Sequence, residues 1–470
     1  MSFTSGRSRW SDIWLVTAAR GVSTCGDFLA ASALALALQS AGASGLAVSG
    51  LMLAATLPLA VLAPLTGRLA DRVDSRLLLV LTGLGQAAIC LALAYAGQPA
   101  LIIALVAALA AGLAITQPVL SALVPTMVRA DDLPRASALN QTAGTLGALA
   151  GPALAGLLVG GFGARLPLLL DAGSYLALVA AGLLIRTRRG GRRPAPATVP
   201  GSAPATVPGP ARDLPARDLP APAWRLRRDP LLVAMITTLA GVIGAVGAIN
   251  VVEVFFIRET LGSSTTMYGL VTGSWTLGIL IGSWVFARLA RRLVDDGRML
   301  VGYLALLGGC CLMILLSAAV PTAILLVPVW LLGGVGNGGA NVFDNVLLAR
   351  RVPEAARGRA YAALGASVQG TAMVGYLLGG LLLAVAAPRV LVAACGVAGL
   401  LVIMLVALPV TRAVRVERAA AATRPAPAAD PAASAPAADP AASAPGAGPA
   451  VTGAEAARPG AELATPTPSH

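Results

Sequence analysis

Long apolar segments recur along this chain, and they constrain its fold more than any other feature. The hydrocarbon core of a bilayer is about 30 Å thick and takes about 20 helical residues to cross. Segments of that length are predicted at 11–39, 46–66, 77–96, 100–125, 136–160, 166–185, 230–257, 267–289, 299–319, 322–349, 360–384 and 390–410. Lipid offers a backbone no hydrogen-bond partners, so each segment must be a helix. Composition agrees: 57% of the residues are hydrophobic and 12% are charged, against about 25% charged in a soluble domain. The fold class read from this is an all-α integral membrane protein with twelve transmembrane helices.

Arginine placement sets the orientation. With the N-terminus inside, the inner loops hold Arg68, Arg72, Arg76, Arg129, Arg135, Arg288, Arg291, Arg292, Arg298, Arg350, Arg351, Arg357 and Arg359. The outer loops hold Arg165, Arg258 and Arg389. Cytoplasmic loops carry the excess of basic residues, so both ends of the chain are expected in the cytoplasm of a multi-pass plasma-membrane protein. One missed span would scramble this alternation. No leader with a short apolar core and a small-residue cleavage site is apparent ahead of the first span.

The residue inventory removes whole classes of chemistry. All 34 basic residues are Arg, and the one His is His470. A P-loop and a Schiff-base enzyme both need Lys. A Ser-His-Asp triad and a histidine zinc site need an internal His. The chain is therefore not expected to be an enzyme, and no cofactor or metal is expected. The net charge of +13 is spread between apolar segments, so it makes no nucleic-acid patch. Cys25, Cys90, Cys310, Cys311 and Cys395 lie inside apolar stretches and read as small hydrophobes.

Two segments are not membrane-like. Residues 187–229 repeat Ala-Pro-Ala-Thr-Val-Pro-Gly and Ala-Arg-Asp-Leu-Pro, and read as a disordered cytoplasmic linker. Residues 411–470 contain two copies of Pro-Ala-Ala-Asp-Pro-Ala-Ala-Ser-Ala-Pro and read as a disordered tail. The first of these segments separates two six-helix bundles, 1–186 and 230–410, which repeat each other. Arg68-Leu69-Ala70-Asp71-Arg72 aligns with Arg288-Leu289-Ala290-Arg291-Arg292. Arg135, Ala136, Gly151 and Gly156 align with Arg359, Ala360, Gly375 and Gly380. A parallel repeat of six-helix halves marks a transporter architecture with its substrate site near the midplane.

The loop after the second span reads Gly67-Arg68-Leu69-Ala70-Asp71-Arg72-Val73-Asp74-Ser75-Arg76. It resembles the loop signature of the major facilitator superfamily, Gly-x-x-x-Asp-Arg-x-Gly-Arg-Arg/Lys. Gly67, Asp71, Arg72 and Arg76 match, whereas Asp74 and Ser75 replace the usual Gly and Arg. The resemblance implies a cytoplasmic latch in which Asp71 meets the helix starting near Arg359. Without it, the loop reads as an ordinary positive-inside turn. In the fifth span, Gly147, Gly151, Pro152 and Gly156 are similar to the superfamily's antiporter motif, Gly-x-x-x-Gly-Pro-x-x-Gly-Gly, with Ala155 in place of one Gly. That motif implies export; generic small-residue packing is the alternative. Further similarity, in Gly26-Asp27, Asp131-Asp132-Leu133-Pro134 and Asn250 to Phe256, is to the drug:proton antiporter branch that includes the macrolide and enterobactin exporters. The resemblance covers residues 11 to 410.

Ionisable groups within spans are costly and point to function. Arg20 and Asp27 lie seven apart on one face of the first span. Asp27 is either the carboxylate that carries the proton, with Arg20 as its counter-charge, or half of a structural pair. Glu253, a second candidate for the proton, and Asn250, a cavity candidate, share a face near the outer end of the seventh span, where solvation is the alternative for Glu253. Asn337, Asn341, Asp344 and Asn345 form a polar stripe in the tenth, with Asn337, Asn341 and Asp344 as cavity candidates. Asp171 lies near the outer surface, where solvation explains it. Phe28, Phe255, Trp275 and Phe343 are candidate apolar contacts.

The function expected is secondary active transport, with protons driving efflux of a small amphipathic drug or natural product. A nutrient importer of the same fold and a non-transporting receptor or scaffold are the alternatives. The expected partners are that substrate, protons and the lipid bilayer, with no nucleic acid; the resemblance implies a monomer.

Overall fold

The computed structural model describes residues 8–185, 226, 229–293 and 295–422. It is helical throughout these residues. By contact the chain divides into Met1–Arg418 and Ala419–His470, and the second unit holds only the end of the last helix among the described residues.

The first six spans are α1 (Trp10–Ser40), α2 (Gly45–Arg72), α3 (Ser75–Tyr95), α4 (Pro99–Met127), α5 (Leu133–Phe162) and α6 (Arg165–Leu184). Their starts and stops follow local chemistry. The Asp74 carboxylate accepts from the Arg76 and Leu77 amides and so caps α3. Proline at the start of α4 and α5 costs nothing, because an amide there has no helical partner. Gly163, with φ of 74°, ends α5 in a conformation that side chains avoid.

The second set is α7 (Pro230–Val246), α8 (Ile249–Phe255), α9 (Thr265–Arg292), α10 (Asp296–Ser317), α11 (Ala323–Arg351), α12 (Glu354–Leu382) and α13 (Pro388–Ala422). Asp229 and Asp295 cap α7 and α10 as Asp74 caps α3. The predicted seventh span, 230–257, is one membrane crossing but not one helix. It breaks at Gly247–Ala248 between α7 and α8, and its last turn, Phe256–Thr260, widens to a π-helix. Gly375 of α12 reaches the break: a Cβ added to it would lie 2.8 Å from the Gly247 Cα.

Eleven crossings among the described residues are long and apolar enough to span a bilayer. The twelfth expected span, 360–384, is the 29-residue α12, which is diluted by Ser367, Gln369 and Thr371. The last boundary needs correction. The tail was expected from Thr411, but α13 continues to Ala422, since Ala, Val and Arg through this stretch are compatible with helix. The expected linker, 187–229, lies outside the described residues apart from Leu226 and Asp229.

Where the core sits defines the architecture. One cluster is shared by both halves, joining Leu34, Leu36, Leu51 and Leu93 to Val251, Phe256, Tyr268 and Trp330. It lies at the end where α1 and α5 finish and α2 and α9 begin. At the opposite end each half keeps its own core. Ile13, Val16, Leu79, Leu123 and Tyr175 form one, and Leu231, Met299, Tyr303, Phe343 and Leu348 form the other. The halves are thus sealed at one end and separately packed at the other.

Candidate functional site

Asp27 sits in the middle of α1, where apolar residues dominate and a charge has little to solvate it. Its partner comes from α6: the Tyr175 hydroxyl donates to Asp27 Oδ1. Tyr175 is fully buried, so the bond lies in a low-dielectric interior, where a hydrogen bond to a charged group contributes roughly 1.5–3 kcal/mol. Gly26 makes this approach possible. A Cβ there would collide with Asp171 Oδ1 and lie 2.6 Å from Ser174 Oγ.

Asp171 corrects the sequence reading. It is not a solvated residue near the outer surface but is 0% exposed. Ser174 Oγ donates to its Oδ1 at 3.0 Å, and Cys90 Sγ of α3 donates to its Oδ2 at 3.1 Å. Cys90 is therefore a hydrogen-bond donor as well as a small hydrophobe. Two carboxylates, Asp27 and Asp171, thus occupy the seam of α1, α3 and α6. No cation pairs with either among the described residues. The arrangement can hold or pass a proton, because protonation removes a charge that burial makes expensive. Asp171, Ser174, Tyr175 and Cys90 were missed as a group. Their only sequence signal was an Asp and a Tyr four apart in an apolar run.

Arg20 is not the counter-ion of Asp27. It lies beside α5, where a Cβ on Gly144 would be 3.4 Å from its Nε. Its Nε is buried and has no hydrogen-bond partner. Arg20 turns toward α5 whereas Asp27 meets Tyr175 of α6, and two helical turns put the groups about 10 Å apart along the axis.

Glu253 lies on α8 within the sealed end. Tyr268 Oη of α9 donates to its Oε1 at 3.2 Å, and the residue is partly buried, so solvation alone does not account for it. Asn250 is exposed, and its amide reaches the Gly247 carbonyl at 3.3 Å. The polar stripe on α11 forms a ladder: Asn341 Nδ2 donates to Asn337 Oδ1 at 3.0 Å, and Asn345 Nδ2 to the Asn341 carbonyl at 2.7 Å. Asn341 and Asn345 are exposed, whereas Asp344 is buried and its Oδ1 has no partner. Of the aromatic candidates, Phe28 is 46% exposed, but Phe255 and Phe343 are buried core residues. Trp275 packs edge-on against Trp330 at 5.7 Å.

The antiporter-like glycines have distinct jobs. Gly147 and Gly151 let α5 lie on α1, since a Cβ on either would meet the backbone near Cys25 at 2.9 Å. Gly156 serves the other half: a Cβ there would be 2.7 Å from the Gly269 Cα of α9. Pro152 sits inside α5 between the two contacts, and its carbonyl also faces Gly269. At the same end, Ser49 Oγ of α2 donates to the Tyr376 carbonyl of α12 at 2.6 Å. Gln39 of α1 bridges Arg258 and Glu259 at 3.4 and 3.1 Å.

The latch residues are only partly visible. The side chains of Asp71 and Arg72, and the surroundings of Gly67, lie outside the described residues. Arg76 is partly buried, and its amide donates to Asp74 at 2.9 Å. In the second half the corresponding end carries a described ion network. Arg351 pairs with Asp229 at 2.8 Å and Asp296 at 3.3 Å, and Arg350 also meets Asp296 at 3.5 Å. This ties the starts of α7 and α10 to the end of α11.

A family model described as Major Facilitator Superfamily matches residues 16–341 and, overlapping, 236–441. Among solved structures, the chain is similar to a bacterial homologue of the iron transporter ferroportin in an inward-facing state. There the identity is 16% and the TM-score 0.65, covering 85% of this chain and 98% of that one. It is also similar to a bacterial homologue of the human lysosomal transporter Spinster, inward-facing and unoccupied, at 13% identity and TM-score 0.62, covering 89% and 99%. A third is a peptide transporter, POT, in complex with sulfate, at 15% identity and TM-score 0.62, covering 88% and 96%. No curated protein matches the chain.

Proposed function

The chain belongs to the Major Facilitator Superfamily, and from that premise we propose that it is a proton-coupled exporter of small amphipathic compounds, acting as a monomer in the plasma membrane. The observation that carries this reading is the Tyr175–Asp27 bond. It places a carboxylate without a counter-charge on the α1–α6 seam, within the half that must rock against the other.

With both termini in the cytoplasm, the sealed end is the outer one and the separately packed end faces inward. Residues 187–229 then connect the bundles, and the segment after α13 is a cytoplasmic tail. Substrate enters between the halves and meets the asparagine ladder of α11 and the exposed Phe28. Loss of the proton from Asp27 leaves a partly buried anion, which favours a rearrangement that rehydrates it. Uptake of a proton from outside restores the neutral seam and lets the inner side reopen. The membrane potential contributes about 2.3 kcal/mol per charge per 100 mV. The motif at Gly147, Gly151, Pro152 and Gly156 supports export, because it couples α5 to α1 on one side and to α9 on the other.

The test is efflux of ethidium and a macrolide panel from cells expressing the wild type and Asp27→Asn, with and without an uncoupler. Uncoupler-sensitive efflux that disappears in Asp27→Asn is the expected result. Efflux that persists in the variant removes Asp27 from the coupling step and moves it to Glu253. Accumulation in place of depletion makes the protein an importer.

A further inference from the structure

We propose that Arg20, with Thr17 and Asn140, forms a subsite on the α1–α5 seam that takes the carboxylate of an amphipathic substrate. This rests on the transport reading and goes beyond it by naming the charge of the substrate.

Three polar atoms here lack partners at successive levels of one interface. They are Thr17 Oγ1, Arg20 Nε and Asn140 Oδ1. Thr17 is 4% exposed and Asn140 is 7% exposed. The register follows from the close approach of the helices. A Cβ on Gly21 would lie 3.2 Å from the Ala143 oxygen, and one on Gly144 would lie 3.4 Å from Arg20 Nε. One turn earlier on each helix stand Thr17 and Asn140. Buried polar atoms normally find partners, and a run of orphans in one seam marks a place built for another group.

The charge balance says which group. Arg20 makes no ion pair or hydrogen bond among the described residues. Asp27, two turns away on the same face, is held by Tyr175 across the α1–α6 seam. Asp12, two turns the other way, is buried with contacts of its own. Arg20 is half-buried with its Nε edge enclosed and unpartnered, and the planar fork of a guanidinium matches a carboxylate in two parallel hydrogen bonds. The Thr17 hydroxyl donates as well, and so does the Asn140 amide once turned to present its nitrogen, since the two ends of an amide differ little in shape. All three groups donate to an anion, and Asp27 remains free for the proton.

The full-length protein in lipid nanodiscs gives the test, with 4-fluorobenzoate as the probe and 4-fluorobenzamide as its neutral match, followed by fluorine relaxation. The expected result is binding of the benzoate alone. Affinity should fall about tenfold, equivalent to roughly 1.4 kcal/mol, in Arg20→Gln, and by less in Arg20→Lys, which keeps the charge but loses the two-pronged geometry. Asn140→Ala should weaken binding without abolishing it. Gel filtration and the Arg20→Lys protein distinguish lost recognition from lost folding. Equal binding of benzoate and benzamide, no binding of benzoate, or unchanged benzoate binding in Arg20→Gln overturns the proposal. Displacement of benzoate by sulfate at equal concentration assigns the seam to a free inorganic anion and overturns its substrate role. Failure of the transport reading looks different: benzoate binds as described, yet cells expressing the protein show no uncoupler-sensitive efflux of a carboxylated dye such as fluorescein or of ethidium.

Discussion

The chemistry of single residues depends here on what burial does to charge. Asp27 and Asp171 are both ordinary acids by type, yet one accepts from a tyrosine and the other from a cysteine and a serine. That difference yields a prediction. Tyr175→Phe keeps the ring packing and deletes one hydrogen bond to Asp27, a loss of roughly 1.5–3 kcal/mol of local stabilisation. Proton-coupled efflux by this variant should change its pH profile while membrane insertion is unaffected, as measured by dye efflux across a pH series. An unchanged profile would detach Tyr175 from the coupling step. Asp171→Asn separates the two acids. If Asp171 only braces α3 against α6, the variant loses thermal stability and keeps uncoupler-sensitive efflux; loss of coupling with normal stability would make it part of the proton site.

At the scale of helices, glycine placement decides which surfaces meet. Gly156 and Gly269 bring α5 and α9 to backbone contact at the sealed end. A side chain there must push the helices apart. Gly156→Val should therefore favour the state open at that end. A bias of about 1 kcal/mol shifts the populations roughly fivefold. Labelling of Ser49→Cys by an impermeant maleimide added outside the cell should rise accordingly relative to the same cysteine in the parent background. No rise would mean that α5 and α9 separate without opening the end. The break at Gly247–Ala248 is the other element-scale feature. Hydropathy registers a continuous apolar segment and carries no information about where the helix is interrupted.

Across the whole molecule, a shared core at one end and two private cores at the other describe a protein able to pivot. Closing the sealed end permanently should stop it. Gly45 and Leu383 approach so closely that a Cβ on the glycine would be 2.7 Å from the leucine side chain. The double variant Gly45→Cys, Leu383→Cys should lose efflux on oxidation and regain it with reductant. Oxidised, cross-linked protein that still transports would show that this end does not open during the cycle.

The span pattern, the two-half repeat and the arginine bias were legible in the sequence because each follows from bilayer thickness and local charge, which act on contiguous residues. Asp27, Glu253 and the α11 asparagines stood out for the same reason: polar groups in apolar runs are conspicuous one residue at a time. Their partners were not. Tyr175 lies 148 residues from Asp27, and Cys90 lies 81 from Asp171, and no periodicity within one helix encodes a meeting with another. Arg20 shows the limit from the opposite side. Its sequence distance suggested a bond to Asp27, but the packing of α1 against α5 and α6 sends the two side chains to different seams. Hydrophobic length determined that this chain crosses a membrane; only the packing of its helices decided which polar groups inside it meet and which do not.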